Sequence, residues 1–317
     1  VLQQVGVGKI GFNLVGPISS GGEDGFLSKA GNVASMKSHG VELSLSTTNI
    51  QTKDFSWKTN FIYSYVHNEI TELRTRSNMI SLISGVGYAR QGYPSRALFS
   101  VPFMGLTSEG LPTFRDQDGN ISITGVNFQE SDPDKLNFLK YEGPTDPTNT
   151  GSLGNVLTYK GLTLNVFITY SFGNVVRLYP AFRSRYSDLS ATPKEFRNRW
   201  RQPGDEAHTN IPTIATYRQV FEDTYLLRAY NAYNNSDVRI AKGDFIRMKE
   251  LSLNYDLPQK LIGHIGLRNA SVKLQGTNLF LIYADKRLNG QDPEFFNTGG
   301  VAVPMAKQFT FTLKVGL

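Results

Sequence analysis

The sequence predicts an all-β protein, an antiparallel β-barrel that crosses a membrane with its strands, and three observations lead there. The first is alternation. In "KQFTFTLKVGL" the residues Phe309, Phe311, Leu313, Val315 and Leu317 are apolar, while Gln308, Thr310, Thr312, Lys314 and Gly316 are polar or small. That period of two marks a strand with one apolar and one wet face. The second is length: such stretches run for about 10 to 17 residues, against about 5 to 6 for an ordinary strand. Aromatic side chains crowd their ends, as they do at a membrane interface. The third is asymmetry. Compact turns near 47–54, 160–161 and 257–269 alternate with long connections near 17–35, 70–92, 109–151, 174–237 and 284–304. Barrels with short turns on one side of a membrane and long loops on the other have this layout.

The elements follow in chain order. In "HGVELSLST" Val41, Leu43 and Leu45 alternate with Glu42, Ser44 and Ser46. After the polar "TNIQTKD", Phe55, Trp57, Thr59, Phe61, Tyr63 and Tyr65 alternate with Ser56, Lys58, Asn60, Ile62 and Ser64, which predicts a hairpin. A tight turn at Tyr159-Lys160-Gly161-Leu162 leads into a strand whose apolar face is Leu162, Leu164, Val166, Ile168, Tyr170 and Phe172. Next, Leu251, Leu253 and Tyr255 precede a turn marked by Pro258 and Gly266, after which Ala270, Val272, Leu274 and Gly276 oppose Ser271, Lys273, Gln275 and Thr277. Arg247 and Lys249 share the parity of Leu251, yet charges at the hydrocarbon midplane are costly. Either they lie at the outer rim or a bulge near Glu250 flips the phase.

Within the 174–237 connection, "TPKEFRNRW" places Thr192 as N-cap, Pro193 first and Glu195 third, predicting a short helix that ends near Pro203-Gly204. In "RDQDGNIS" the acidic residues invite a calcium loop, but Gly119 is fourth and Asn127 twelfth, so Asp118-Gly119 is expected to be a tight turn.

Composition narrows the function. With no cysteine among 317 residues, disulfides, thiolate metal sites and thiol catalysis are excluded. No run of about 18 apolar residues exists, so no transmembrane helix is expected. The net charge of +6 is spread along the chain and forms no nucleic-acid footprint. "VLQQVGVGKIGF" is not a signal peptide. His39, His67, His208 and His264 lack ligand spacing, so neither metal nor other cofactor is expected. There is no Gly-x-Ser-x-Gly elbow, and Glu206, Glu222 and Asp223 are expected to be solvated loop charges, so no enzyme is expected.

The 174–237 connection carries ten aromatic and nine basic residues. From it Tyr179, Arg183, Arg185, Arg197, Arg199, Trp200 and Arg201 are the candidates for binding cargo or a lid protein. Aromatic faces stack on sugars or peptide side chains, and guanidinium groups grip carboxylates. The competing expectation is that these residues pack the loop on itself and on a neighbouring subunit.

The segments "GNVASMKSHGVELSLSTTNIQTKDFSWKTNFIYSY", "QGYPSRALFSVPFMGLTSEG", "YKGLTLNVFITYSFGN", "RWRQPGDEAHTNIP", "GDFIRMKELSLNYDLPQKLI" and "GTNLFLIYADKRLNGQDPEF" resemble, in order and spacing, the C-terminal barrel half of SusC/RagA-type TonB-dependent outer-membrane transporters. The resemblance implies a barrel of roughly 22 strands with a plug, of which residues 1–317 are the C-terminal portion with about nine strands. Residues 174–237 are then a long extracellular loop. The plug, the TonB-contacting box and the carboxypeptidase-like extension would lie outside this segment, and Leu317 ends the last strand where the family usually has an aromatic. Implied too are the bacterial outer membrane and energised uptake of oligosaccharides or oligopeptides. The implied partners are a SusD-like surface lipoprotein, TonB through the N-terminal part, the remaining barrel and plug, and outer-membrane lipid with lipopolysaccharide, but no nucleic acid. A passive porin or structural surface barrel is the alternative, and a soluble β-sandwich adhesin a third.

Overall fold

The computed structural model describes residues 2–19, 28–183, 192–223, 225–295 and 306–316. One sheet organises them. Its strands are β1 (Leu2–Ser19), β2 (Ser28–Gln51), β3 (Phe55–Leu73), β4 (Asn149–Tyr159), β5 (Leu162–Phe172), β6 (Phe245–Asp256), β7 (Asn269–Ala284) and β8 (Gln308–Gly316). Each pairs antiparallel with the next, and β1 and β8 hold the two ends. Among the described residues no helix is long and apolar enough to cross a membrane.

Eight strands stand where about nine were expected, because the connections expected at 70–92 and 109–151 are a single one, residues 74–148. Within it Ala97–Ser100 is buried at every position and pairs with Lys140–Pro144 away from the main sheet. Phe103–Leu106, Pro112–Arg115 and Ile121–Ser122 form a further three-stranded sheet. The Asp118-Gly119 turn closes that sheet's second hairpin: Gly119 has φ +85°, and Asp116 Oδ1 accepts the amides of Asp118 and Asn120.

The expected hairpins are present. Between β4 and β5 the two-residue turn has φ +44° at Lys160 and +85° at Gly161, the doubly left-handed geometry that matches strand twist. One apolar face runs across the sheet through register pairs such as Leu43–Tyr63, Leu157–Leu164, Leu164–Leu253 and Leu274–Phe311. It is no protein core: Leu253 is 41%, Leu274 56% and Phe311 65% exposed, as lipid-facing side chains are. Phe309, Leu313 and Val315 fall on this face of β8, and Gln308, Thr310, Thr312 and Lys314 on the other.

The charged stretch of β6 is resolved by a bulge. Against β5, Glu250 pairs with Phe167 and Met248 with Ile168, so Lys249 is an extra residue. The insertion shifts parity, and Arg247 pairs with polar Thr169 while Ile246 and Met248 join the apolar face beside Tyr170 and Ile168. Arg247 is buried there, bonded to Asp292 with Glu294 3.1 Å away.

The connections 74–148, 173–244 and 285–307 follow odd-numbered strands and so leave the same end of the sheet, whereas the long connection expected at 17–35 is mostly strand, with β1 reaching Ser19 and β2 starting at Ser28. The buried core of the chain lies at that shared end. Met79, Leu82, Phe99, Val101, Phe114 and Leu136 from residues 74–148 interlock with Phe182, Phe196, Leu226, Ala229, Tyr230 and Tyr233 from residues 173–244. The helix α1 (Leu226–Asn234) supplies four of these. Each large side chain so buried contributes about 1.5–3 kcal/mol. Arg177 ties the two connections together, donating to the carbonyls of Ile83, Phe99 and Ser236. Burial brings its pKa down to about 10.

Candidate functional site

A three-residue ribbon founds the site. Val175–Arg177 pairs with Ile240–Lys242, so Tyr179, just past one strand, lies beside Arg239, just before the other. Leu178 N–H donates to the Arg239 carbonyl at 2.9 Å. Val176, Leu178 and Ala241 then bury against Leu288, and Asp285 Oδ2 accepts the Lys242 amide at 2.9 Å. These contacts dock residues 285–288 on the ribbon. Between the docked segments opens a pocket of about 370 Å³, lined by Tyr179, Arg183, Lys194, Glu195, Arg239, Arg287, Asn289 and Gln291 among others.

Four cations and one carboxylate line it. Arg239, 4% exposed, holds the wall in place: Nη1 donates to Glu195 Oε1 at 2.6 Å and Nη2 to the Tyr179 carbonyl at 2.7 Å. Arg287 is bonded to Asp285, whose carboxyl, despite burial that works to raise it, is held below the usual range by that guanidinium and by backbone amides. The pocket floor at Asn289-Gly290 is a turn with φ +52° and +85°. A cationic hollow with an exposed tyrosine at its edge suits an anionic group on a larger molecule.

The pocket brings Tyr179 and Arg183 together and excludes the other described candidates. Arg185 lies outside the described residues. Arg199, Trp200 and Arg201 close the chain on itself: Arg199 Nη1 donates to the Phe196 carbonyl and Arg201 Nη2 to the carbonyl of Arg197, which is exposed and does not line the pocket. Trp200 Nε1 donates to Glu206 Oε2 at 2.9 Å, and its ring lies so close over Gly110 (φ +76°) that a Cβ there would collide. The expected helix is a 3₁₀ turn, Lys194–Asn198, that follows Pro193 without a side-chain cap. Glu195, expected to close the cap, is bonded to Arg239 instead. Lys194, Glu195, Arg239, Arg287, Asn289 and Gln291 were missed by sequence reasoning. The Asn-Gly turn was the one local signal, and the rest meet through tertiary docking.

No family model matches the chain. It is 29% identical over 308 residues to TonB-dependent receptor P26 of Formosa agariphila, covering 87% of this chain and 27% of the relative. It is 24% identical over 293 residues to TonB-dependent receptor P3 of the same organism, covering 85% and 26%. The chain is similar in sequence to TonB-dependent receptors. Among solved structures, the RagAB peptide importer in its closed-closed state superposes with a TM-score of 0.73 at 24% identity, covering 98% of this chain and 33% of that one. The open-open state gives 0.71 at 23% identity, covering 96% and 31%. The sheet thus shares the fold of about a third of that importer chain. It spans about a quarter of the length of the curated relatives it matches.

Proposed function

We propose that this chain is the C-terminal part of the barrel of a TonB-dependent nutrient importer, and that its loop-end pocket receives an anionic group of an oligopeptide or oligosaccharide cargo. The carrying observation is the cationic pocket itself, lined from residues 178–183, 192–195, 239 and 287–291 at the end from which the connections 74–148, 173–244 and 285–307 leave. That end faces the cell exterior, since outer-membrane barrels keep short turns on the periplasmic side. A SusD-like lipoprotein covers it, and TonB acts through the remainder of the protein. The family relationship and the likeness to a peptide importer support this reading.

The test uses the intact transporter with an oligopeptide carrying a free C-terminal carboxylate, its amide, and matched uronate and neutral oligosaccharides. Lys194→Gln combined with Arg287→Gln should weaken the charged member of one pair about tenfold, as loss of charge-assisted hydrogen bonds does, and leave the neutral member unchanged. Equal affinity of wild type and variant for all four ligands would overturn the role of the pocket.

A further inference from the structure

His39 of β2 and His67 of β3 are direct register partners. Their ring centroids stand 5.1 Å apart with planes inclined at 49°. They share the outward face of the pairs Val41–Tyr65 and Leu43–Tyr63, and the next outward pair towards the long connections is Lys37–Glu69. The histidines thus stand where the apolar band gives way to charge. His39 is exposed and His67 half-buried; on β1 the register partner of His39 is Lys9.

We propose that His39 and His67 form a bidentate site for a divalent metal ion that takes imidazole in tetrahedral geometry, of which zinc is the type. A metal about 2.0–2.1 Å from a ligating nitrogen lies about 3.2 Å from that ring's centroid. Two imidazoles at the tetrahedral angle therefore have centroids about 5.2 Å apart, and at a right angle about 4.5 Å. The observed separation matches the tetrahedral bite without rearrangement of either strand. Among the described residues no group of three or more His, Cys, Asp or Glu gathers to hold a metal. Water fills the other positions, which makes the site an exchangeable one and not a closed structural centre. Two imidazolium ions opposite each other repel, whereas two neutral rings sharing a metal cross-link β2 to β3. Spacing along the sequence hid this pair, because register and not helical periodicity brings it together.

Zn²⁺ is the probe, added to metal-stripped, tag-free intact transporter in detergent and followed by calorimetry. Wild type should bind Zn²⁺ at a site whose affinity His39→Asn and His67→Asn each lower at least tenfold, while His208→Asn and His264→Asn should match wild type. Barrel assembly, read as heat-dependent electrophoretic mobility, checks that each variant is folded. Unchanged Zn²⁺ affinity in both folded His39 and His67 variants would overturn the site.

Discussion

Trp200 illustrates the difference between a residue's type and its employment. Chosen from the sequence as an anchor for a ligand, it is spent inside the molecule, its ring on Gly110 and its N–H on Glu206. That N–H, with backbone amides, holds the Glu206 carboxyl below the ordinary glutamate value. A depressed carboxylate stabilises the fold above its unfolded pKa, and the contribution is lost as pH falls through the folded one. Trp200 fluorescence should therefore titrate on acidification with a midpoint below that of a free glutamate, and Glu206→Gln should abolish the transition; a midpoint at or above the free value would show that the contact does not hold the indole. Nothing local announces Gly110 as the partner, since the contact joins two connections. Tyr179 and Arg183 were legible as binding types, but Arg239, which sets their wall, was not. Its role comes from a ribbon that only the folded chain assembles.

At the scale of elements, alternation served well wherever one face is apolar and the other wet. β2, β3 and β5 to β8 were legible for that reason, and so was the need for a bulge in β6, whereas β4, whose first residues fall in the connection expected at 109–151, was not. Ala97–Ser100 defeated the same logic because it is buried on both faces. The bulge carries a prediction: deleting Lys249, the extra residue, should leave Met248 opposite Ile168 and Arg247 opposite Thr169, still bonded to Asp292 and Glu294. Uncompensated burial of such a charge costs about 3–5 kcal/mol, so Asp292→Leu combined with Glu294→Leu should lower the yield of assembled, heat-modifiable barrel, whereas deleting Lys249 should not. For β8, Leu313→Arg should cost about 2–4 kcal/mol in a bilayer and Thr312→Arg much less. Reversible unfolding from lipid vesicles measures both, and equal costs would refute the facing.

For the whole molecule, the sheet has two ends, β1 and β8, and among the described residues neither has a strand partner beyond its single neighbour. Unpaired backbone groups in hydrocarbon cost several kcal/mol each. Residues 1–317 refolded alone in detergent should give no monomeric heat-modifiable band; adding the rest of the barrel in trans should restore one. The shared core at the loop end has a different consequence. Because Phe99 and Phe114 come from one connection and Phe182 and Tyr230 from another, with the β4–β5 hairpin threaded between them, neither connection is a portable module. Excising residues 180–230 would remove half of a core and not merely a surface loop. Grafting either connection from a relative should fail, while exchanging both with their hairpin should succeed, so the loop end of this scaffold varies as one block, residues 74–244, more than half of the 317-residue chain, and not by swapping single loops.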